Sequence, residues 1–209
     1  TWSEWEPGLR LREPAAIRDA RTRLEHDILF HAFMQFQFRR QWRLLKTYAN
    51  ERGIRIIGDI PIFVAYDSAD VWTNRELFEL DELGFATLIS GVPPDYFSAD
   101  GQLWGNPVFA WRAIRQKKFA WWIDRARGTL DLVDIIRIDH FRGFAASWSV
   151  PAGSETAAGG HWTRGPGIEV FDAIRGALGD VDIIVEDLGL ITPDVAELRD
   201  QLGYPGMKV

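Results

Sequence analysis

Arg137 and Asp139 lie two positions apart at the end of an apolar run, Leu132-Val133-Asp134-Ile135-Ile136-Arg137-Ile138. On extended backbone, residues i and i+2 share a face, so the two side chains are neighbours. A guanidinium beside a carboxylate favours its charged form. A held, ionised carboxylate is what a nucleophile at a glycosidic carbon requires. Glu186 closes another apolar run, Val181-Asp182-Ile183-Ile184-Val185, a setting that favours the protonated carboxyl of a general acid. One nucleophilic and one acidic carboxyl on either side of a glycosidic bond make up the machinery of retention. The same positions also fit a plainer role, since charged residues at strand ends often form salt bridges or cap helices. Asp59, behind Ile54-Arg55-Ile56-Ile57-Gly58, suits either orienting Arg137 or binding sugar hydroxyls. His140 suits a donor to a hydroxyl or a structural hydrogen-bonder.

Other chemistries find little support. His26, His31, His140 and His161 have no HxxxH-type spacing and Cys is absent, so neither a metal centre nor a disulfide framework is expected. No GxGxxG or P-loop pattern occurs, and no cofactor is implied; Gly159-Gly160 and Gly165-Pro166-Gly167 read as turns. A net charge of -6 without clustered Lys and Arg argues against nucleic acid or an anionic membrane as partner. No apolar run reaches the roughly 18 residues of a membrane span, and no signal-peptide pattern opens the chain. The expected location is cytoplasmic. The 10 Trp and 13 Phe partly fall in Gly- and Pro-rich stretches, where rings serve as platforms for sugar faces as readily as loop anchors.

The elements that must hold these residues follow from periodicity. Residues 1–22 read as irregular. Phe30, Phe33, Met34, Phe38, Leu45 and Tyr48 recur at helical spacing, which predicts an amphipathic helix from Arg23 to about Tyr48. Strands are predicted at 54–60, 132–138 and 181–186, and helices near 71–80, 108–127, 168–178 and from Thr192-Pro193 onward. Residues 81–107 and 143–167 read as long loops, and loops of that length are usually functional. Apolar strands alternating with helices indicate a parallel sheet, which fits a doubly wound fold or a (β/α)8 barrel. Asp59, Asp139 and Glu186 at strand C-terminal ends favour the barrel. The expected fold is therefore α/β, a (β/α)8 TIM barrel in a single catalytic domain over 1–209. With three strands evident where eight close a barrel, only an incomplete part of it is expected in this chain, which alone should be inactive and poorly folded.

Four blocks in order make the pattern specific. They are Ile57-Gly58-Asp59-Ile60-Pro61-Ile62-Phe63-Val64 leading into Asp67-Ser68-Ala69-Asp70-Val71-Trp72; Gly91-Val92-Pro93-Pro94-Asp95-Tyr96-Phe97-Ser98 followed by Gly101-Gln102-Leu103-Trp104-Gly105-Asn106-Pro107; Arg137-Ile138-Asp139-His140-Phe141-Arg142-Gly143; and Val185-Glu186-Asp187-Leu188-Gly189. Together they resemble the amylomaltase (disproportionating enzyme) family, related to the α-amylases, over nearly the whole chain. The resemblance implies a 4-α-glucanotransferase acting on maltooligosaccharides or starch- and glycogen-type α-1,4-glucans. It implies Asp139 as nucleophile, Glu186 as acid/base and Arg137 as the residue holding the nucleophile. Asp59, Trp104, His140 and Asp187 would contact the glucan, and Tyr96 and Phe97 would shape the donor channel. The family's third carboxylate follows a His in a later strand-end segment, a place that His26-Asp27, within the first long helix, does not fit. An α-amylase-like retaining hydrolase and a catalytically silent glucan-binding fragment are the alternatives.

Overall fold

The computed structural model describes residues 1–209 except Phe97, Leu190 and Val209. Two short helices, α1 (Pro7–Arg10) and α2 (Pro14–Arg23), open the chain, followed by the long α3 (Glu25–Asn50). Then come β1 (Ile57–Pro61), α4 (Ala69–Thr73), β2 (Leu88–Val92), β3 (Gln102–Pro107), α5 (Trp111–Gln116) and α6 (Ala120–Leu130). The remainder is β4 (Ile135–Asp139), β5 (Ala146–Pro151), β6 (His161–Arg164), α7 (Glu169–Leu178), β7 (Ile183–Val185) and α8 (Pro193–Leu202).

The three predicted strands form one parallel sheet in the order β1-β4-β7, with Asp59 paired to Arg137 and Pro61 to Asp139. Alternation decides which face is dry. Ile60, Ile136, Ile138, Ile183 and Val185 are buried in the core with Val170, Phe171 and Ile174 of α7 and Val195 and Leu198 of α8. Asp59, Arg137 and Asp139 alternate with them and stand on the opposite, open face. The sheet is thus covered on one side only, whereas parallel sheets are usually covered on both.

The two long predicted loops are not loops. They supply a four-stranded antiparallel sheet, β3-β2-β5-β6. Its strands carry Gly, Pro, Ser and Trp without clean alternation, which hides them from periodicity. A Cβ on Gly91 would overlap the Gln102 carbonyl, so this glycine permits the β2–β3 approach. Gly160, read above as a turn glycine, is also a close-approach position, because a Cβ there would overlap the Trp148 indole.

Three helix boundaries also differ. Residues 1–22 are largely helical, each of the first two helices starting on a proline that presets φ for the first turn. The helix predicted near 71–80 is α4 and a separate 3-10 turn, Arg75–Leu77. The helix predicted over 108–127 is two, broken where Lys118 and Phe119 adopt positive φ of 52° and 57°. Phe119 is 7% exposed, so burial of its ring accompanies this backbone.

Candidate active site

The ends of β4 and β7 are laced together by the main chain. His140 follows Asp139 with a left-handed φ of 58°, which turns its N–H onto Glu186 Oε2 at 2.9 Å. Phe141 N donates to the Glu186 carbonyl at 3.2 Å, and Glu186 N donates to the Ile138 carbonyl at 2.8 Å. Leu188 N donates to the other carboxylate oxygen of Glu186 at 2.6 Å. The sheet therefore brings Asp139 and Glu186 to adjacent strand ends and fixes the Glu186 carboxylate by two backbone amides. The apolar setting expected for Glu186 is instead polar at both oxygens, because the run of Ile and Val before it points its side chains to the core while the acid lies beyond the strand end.

Arg137 uses all three guanidinium nitrogens. Nη2 is 2.9 Å from Asp139 Oδ1, Nη1 donates to Asp59 Oδ1 at 2.5 Å, and Nε donates to the thioether of Met207 at 3.1 Å. Of the two roles open to Asp59, orienting Arg137 has a direct contact behind it. Its carboxylate is half-exposed, so this bridge positions groups rather than stabilises the fold.

The wall beside Asp139 is aromatic. The Trp104 and His140 rings meet edge-on with centroids 4.7 Å apart, and Phe63 lies 6.4 Å from each. Trp104, on β3, is half-exposed, with its indole N–H on Gln102 Oε1 at 3.1 Å. Asn106 bonds the Val64 carbonyl at 3.0 Å, tying β3 to the segment after β1. Phe63, Trp104, Asn106, Asp139 and His140 help line a cavity of about 370 Å³, at the small end of the range for small-molecule sites.

Burial, reinforced by the nearby Arg142 charge, pushes the His140 imidazole down to about 4. Its Nε2 is buried and has no hydrogen-bond partner in the structure. Tyr96 stands 91% exposed in the segment between β2 and β3, and Phe97 lies outside the described residues. Asp187 turns into the protein: its side chain is 9% exposed, Oδ2 accepts from Arg199 at 2.7 Å and Oδ1 from Met207 N at 2.9 Å. Burial raises its pKa, but the Met207 amide and Arg199 outweigh that and hold it below the usual carboxylate range. Met207 escaped sequence reasoning, because a single methionine after Pro-Gly has neither period nor motif.

A family profile described as 4-alpha-glucanotransferase matches residues 1–209. The chain belongs to that family. It is 53% identical over 210 residues to a 4-alpha-glucanotransferase of Synechocystis and 51% identical over 208 residues to one of Thermus thermophilus. Each alignment takes in 100% of this chain and 42% of the relative, so the chain spans less than half the length of these family members. Among solved structures, amylomaltase from Streptococcus agalactiae in complex with acarbose superposes with a TM-score of 0.96 at 44% identity, over 100% of this chain and 42% of that one. The strand ends that carry Asp139 and Glu186 thus belong to a family fold shared over the entire chain.

Proposed function

We propose that the chain carries the catalytic pair of an amylomaltase-type enzyme that transfers segments of α-1,4-glucan between donor and acceptor with retention. The observation that supports it most is the hydrogen bond from His140 N to Glu186, which sets the acid beside the strand end that bears Asp139. In this reading the parallel sheet is part of a (β/α)8 barrel, with its catalytic groups at the C-terminal strand ends. Asp139 attacks the anomeric carbon while Glu186 gives its proton to the departing glycosidic oxygen, leaving a β-linked glucosyl ester on Asp139. Glu186, now a carboxylate, takes the proton of an acceptor 4-hydroxyl, which displaces Asp139 and restores the α linkage. Arg137 holds Asp139 in place; Asp59 and His140 meet sugar hydroxyls or orient those that do. Trp104 gives a sugar ring an apolar face; separately, that the Streptococcus agalactiae relative is in complex with acarbose supports a sugar-type ligand.

Transfer outruns hydrolysis only where water is kept from the ester, a task suited to the aromatic hairpin 92–104. The substrates are maltooligosaccharides or starch-type glucans. A cytoplasmic location, tested by fractionation, is part of the same proposal. The protein expressed from its complete reading frame should convert maltotriose into a ladder of longer and shorter oligosaccharides. Added glucose or maltose should shift that ladder. Reducing ends that rise without longer products would identify a hydrolase, and binding without turnover a silent glucan module.

A further inference from the structure

Arg137 is the hub of the site, and the way it is held has a part that lies outside the family motifs described above. A guanidinium offers five N–H groups in a rigid plane, and two contacts to it leave one freedom, rotation about the line that joins them. Two of its edges face the carboxylates of Asp59 on β1 and Asp139 on β4. The third, Nε–H, meets the sulfur of half-buried Met207 at 3.1 Å. Without that contact the plane would be free to pivot about its carboxylate ends.

Met207 is itself held at the backbone. Its N–H is bound by Asp187 Oδ1 at 2.9 Å, and Asp187 is anchored through Arg199 of α8. Two residues earlier, the Pro205 carbonyl accepts the N–H of Val185 at 3.0 Å, which docks the segment on β7. A Cβ on Gly206 would overlap the Asp187 carboxylate, so only glycine lets the chain pass this close. The Asp187 carboxylate and the β7 backbone therefore converge on one outcome, the placement of a thioether against Arg137.

We propose that Met207 is a positioning residue for the catalytic carboxylate: its sulfur accepts the Arg137 Nε–H and so orients the guanidinium on Asp59 and Asp139, with Asp187 holding the Met207 backbone. The proposal rests on Asp139 being the nucleophile. It reassigns Asp187 from the glucan to the scaffold, consistent with a carboxylate engaged on both oxygens inside the protein. Sulfur is a weak acceptor, so the contact steers rather than neutralises.

The test separates hydrogen bonding from packing by an inverted order of two substitutions. Met207→Leu conserves volume and apolarity but removes the acceptor, whereas Met207→Gln keeps the length and supplies an amide oxygen. In the protein from its complete reading frame, Met207→Leu should lose about tenfold in kcat for maltotriose disproportionation with KM unchanged, the signature of a contact that matters in the transition state. Met207→Gln should keep half or more of the wild-type kcat. If Leu is tolerated and Gln is damaging, Met207 only fills space and the proposal fails. Asp187→Ala, which removes the acceptor of the Met207 N–H, should lower kcat in the same way, and its combination with Met207→Leu should be less than additive. Wild type and Asp139→Asn are assayed alongside: transfer that survives in Asp139→Asn would sink the functional reading instead. Crystal structures of wild type and Met207→Leu decide the matter without activity. The guanidinium should leave one of its two carboxylates in Met207→Leu, and unchanged contacts to both would overturn the proposal.

Discussion

Asp139, Arg137 and Glu186 each owe their place to a different local force. Strand pairing sets Arg137 opposite Asp59, a left-handed turn at His140 directs an amide onto Glu186, and ion pairing fixes Asp139. On the role proposed for Asp139 as nucleophile, Asp139→Asn in the protein from its complete reading frame keeps the shape and removes the attacking charge. Transfer should fall by several orders of magnitude while the thermal midpoint stays within a few degrees. Maltotriose assays and a melt check this, and near-normal disproportionation would refute the assignment. His140 sets a stability slope. Its folded value of about 4 lies below the usual 6.5, so the unfolded chain binds the extra proton between these pH values. Stability is intact above pH 6.5 and declines as pH falls toward 4, by up to about 3 kcal/mol at 1.36 kcal/mol per unit. His140→Asn, which tolerates the left-handed backbone, should flatten that slope. Urea midpoints at pH 7.5 and 4.5 measure it, and equal losses in both proteins would contradict the buried neutral imidazole. At this scale the placement of Arg137, Asp139 and Glu186 at neighbouring strand ends was legible, because apolar runs and spacing coincide there. The placements of Met207 and the inward Asp187 were not, because they arise from a contact 70 residues apart and one 20 residues apart.

Elements reached from the sequence are those whose apolar runs are continuous. β1, β4 and β7 are rich in Ile and Val, since their neighbours in the sheet and the helices behind it demand bulk, and their positions were predicted within three residues. The antiparallel strands β2, β3, β5 and β6 were invisible because glycine at their crossings is required by backbone contact rather than by turns. α3 shows another limit. Its long helix was legible, yet no residue of it is buried. It is held to the end of α6 and the segment before β4 by polar anchors instead. The Trp42 indole bonds the Leu132 carbonyl at 2.7 Å, and Lys46 bonds the carbonyls of Leu130 and Val133 at 3.0 and 2.7 Å. Asp134 completes the joint by accepting from Ile56 N and Asn50 Nδ2, both at 2.8 Å. Asp134→Ala should strand the Ile56 amide and destabilise by about 1–3 kcal/mol. Asp134→Asn, which keeps a carbonyl acceptor there, should cost less. Denaturant titration of both variants checks the order, and equal costs would mean that charge, not the amide bond, holds the joint.

Across the whole molecule, the polar anchoring of α3 leaves its apolar side in water. Leu29, Phe30, Phe33, Met34, Phe36, Leu44, Leu45 and Tyr48 are each at least 50% exposed. Contiguous apolar surface on this scale drives association in water, at roughly 25 cal/mol per Å² removed. Nearby, Trp5, Leu24 and Ile28 line a cavity of about 650 Å³ with Trp72, extending the apolar surface past the helix start. The 209-residue chain by itself should therefore self-associate as its concentration rises. Its melt should shift with concentration, as mass action requires. Replacing Phe30, Phe33 and Leu44 by Lys breaks the patch at three points without touching a buried residue, and all three positions accept lysine as a helix former. The triple variant should sediment as a monomer over the concentrations at which the parent associates, with far-ultraviolet circular dichroism unchanged. If it still associates to the same extent, the sticky surface lies elsewhere, with the open face of the parallel sheet the next to be charged. That face bears Asp59, Arg137 and Asp139 in alternation with the buried isoleucines, so it already repels casual partners. The α3 face carries Arg40 amid eight exposed apolar side chains, so charge is sparse there and the prediction singles it out.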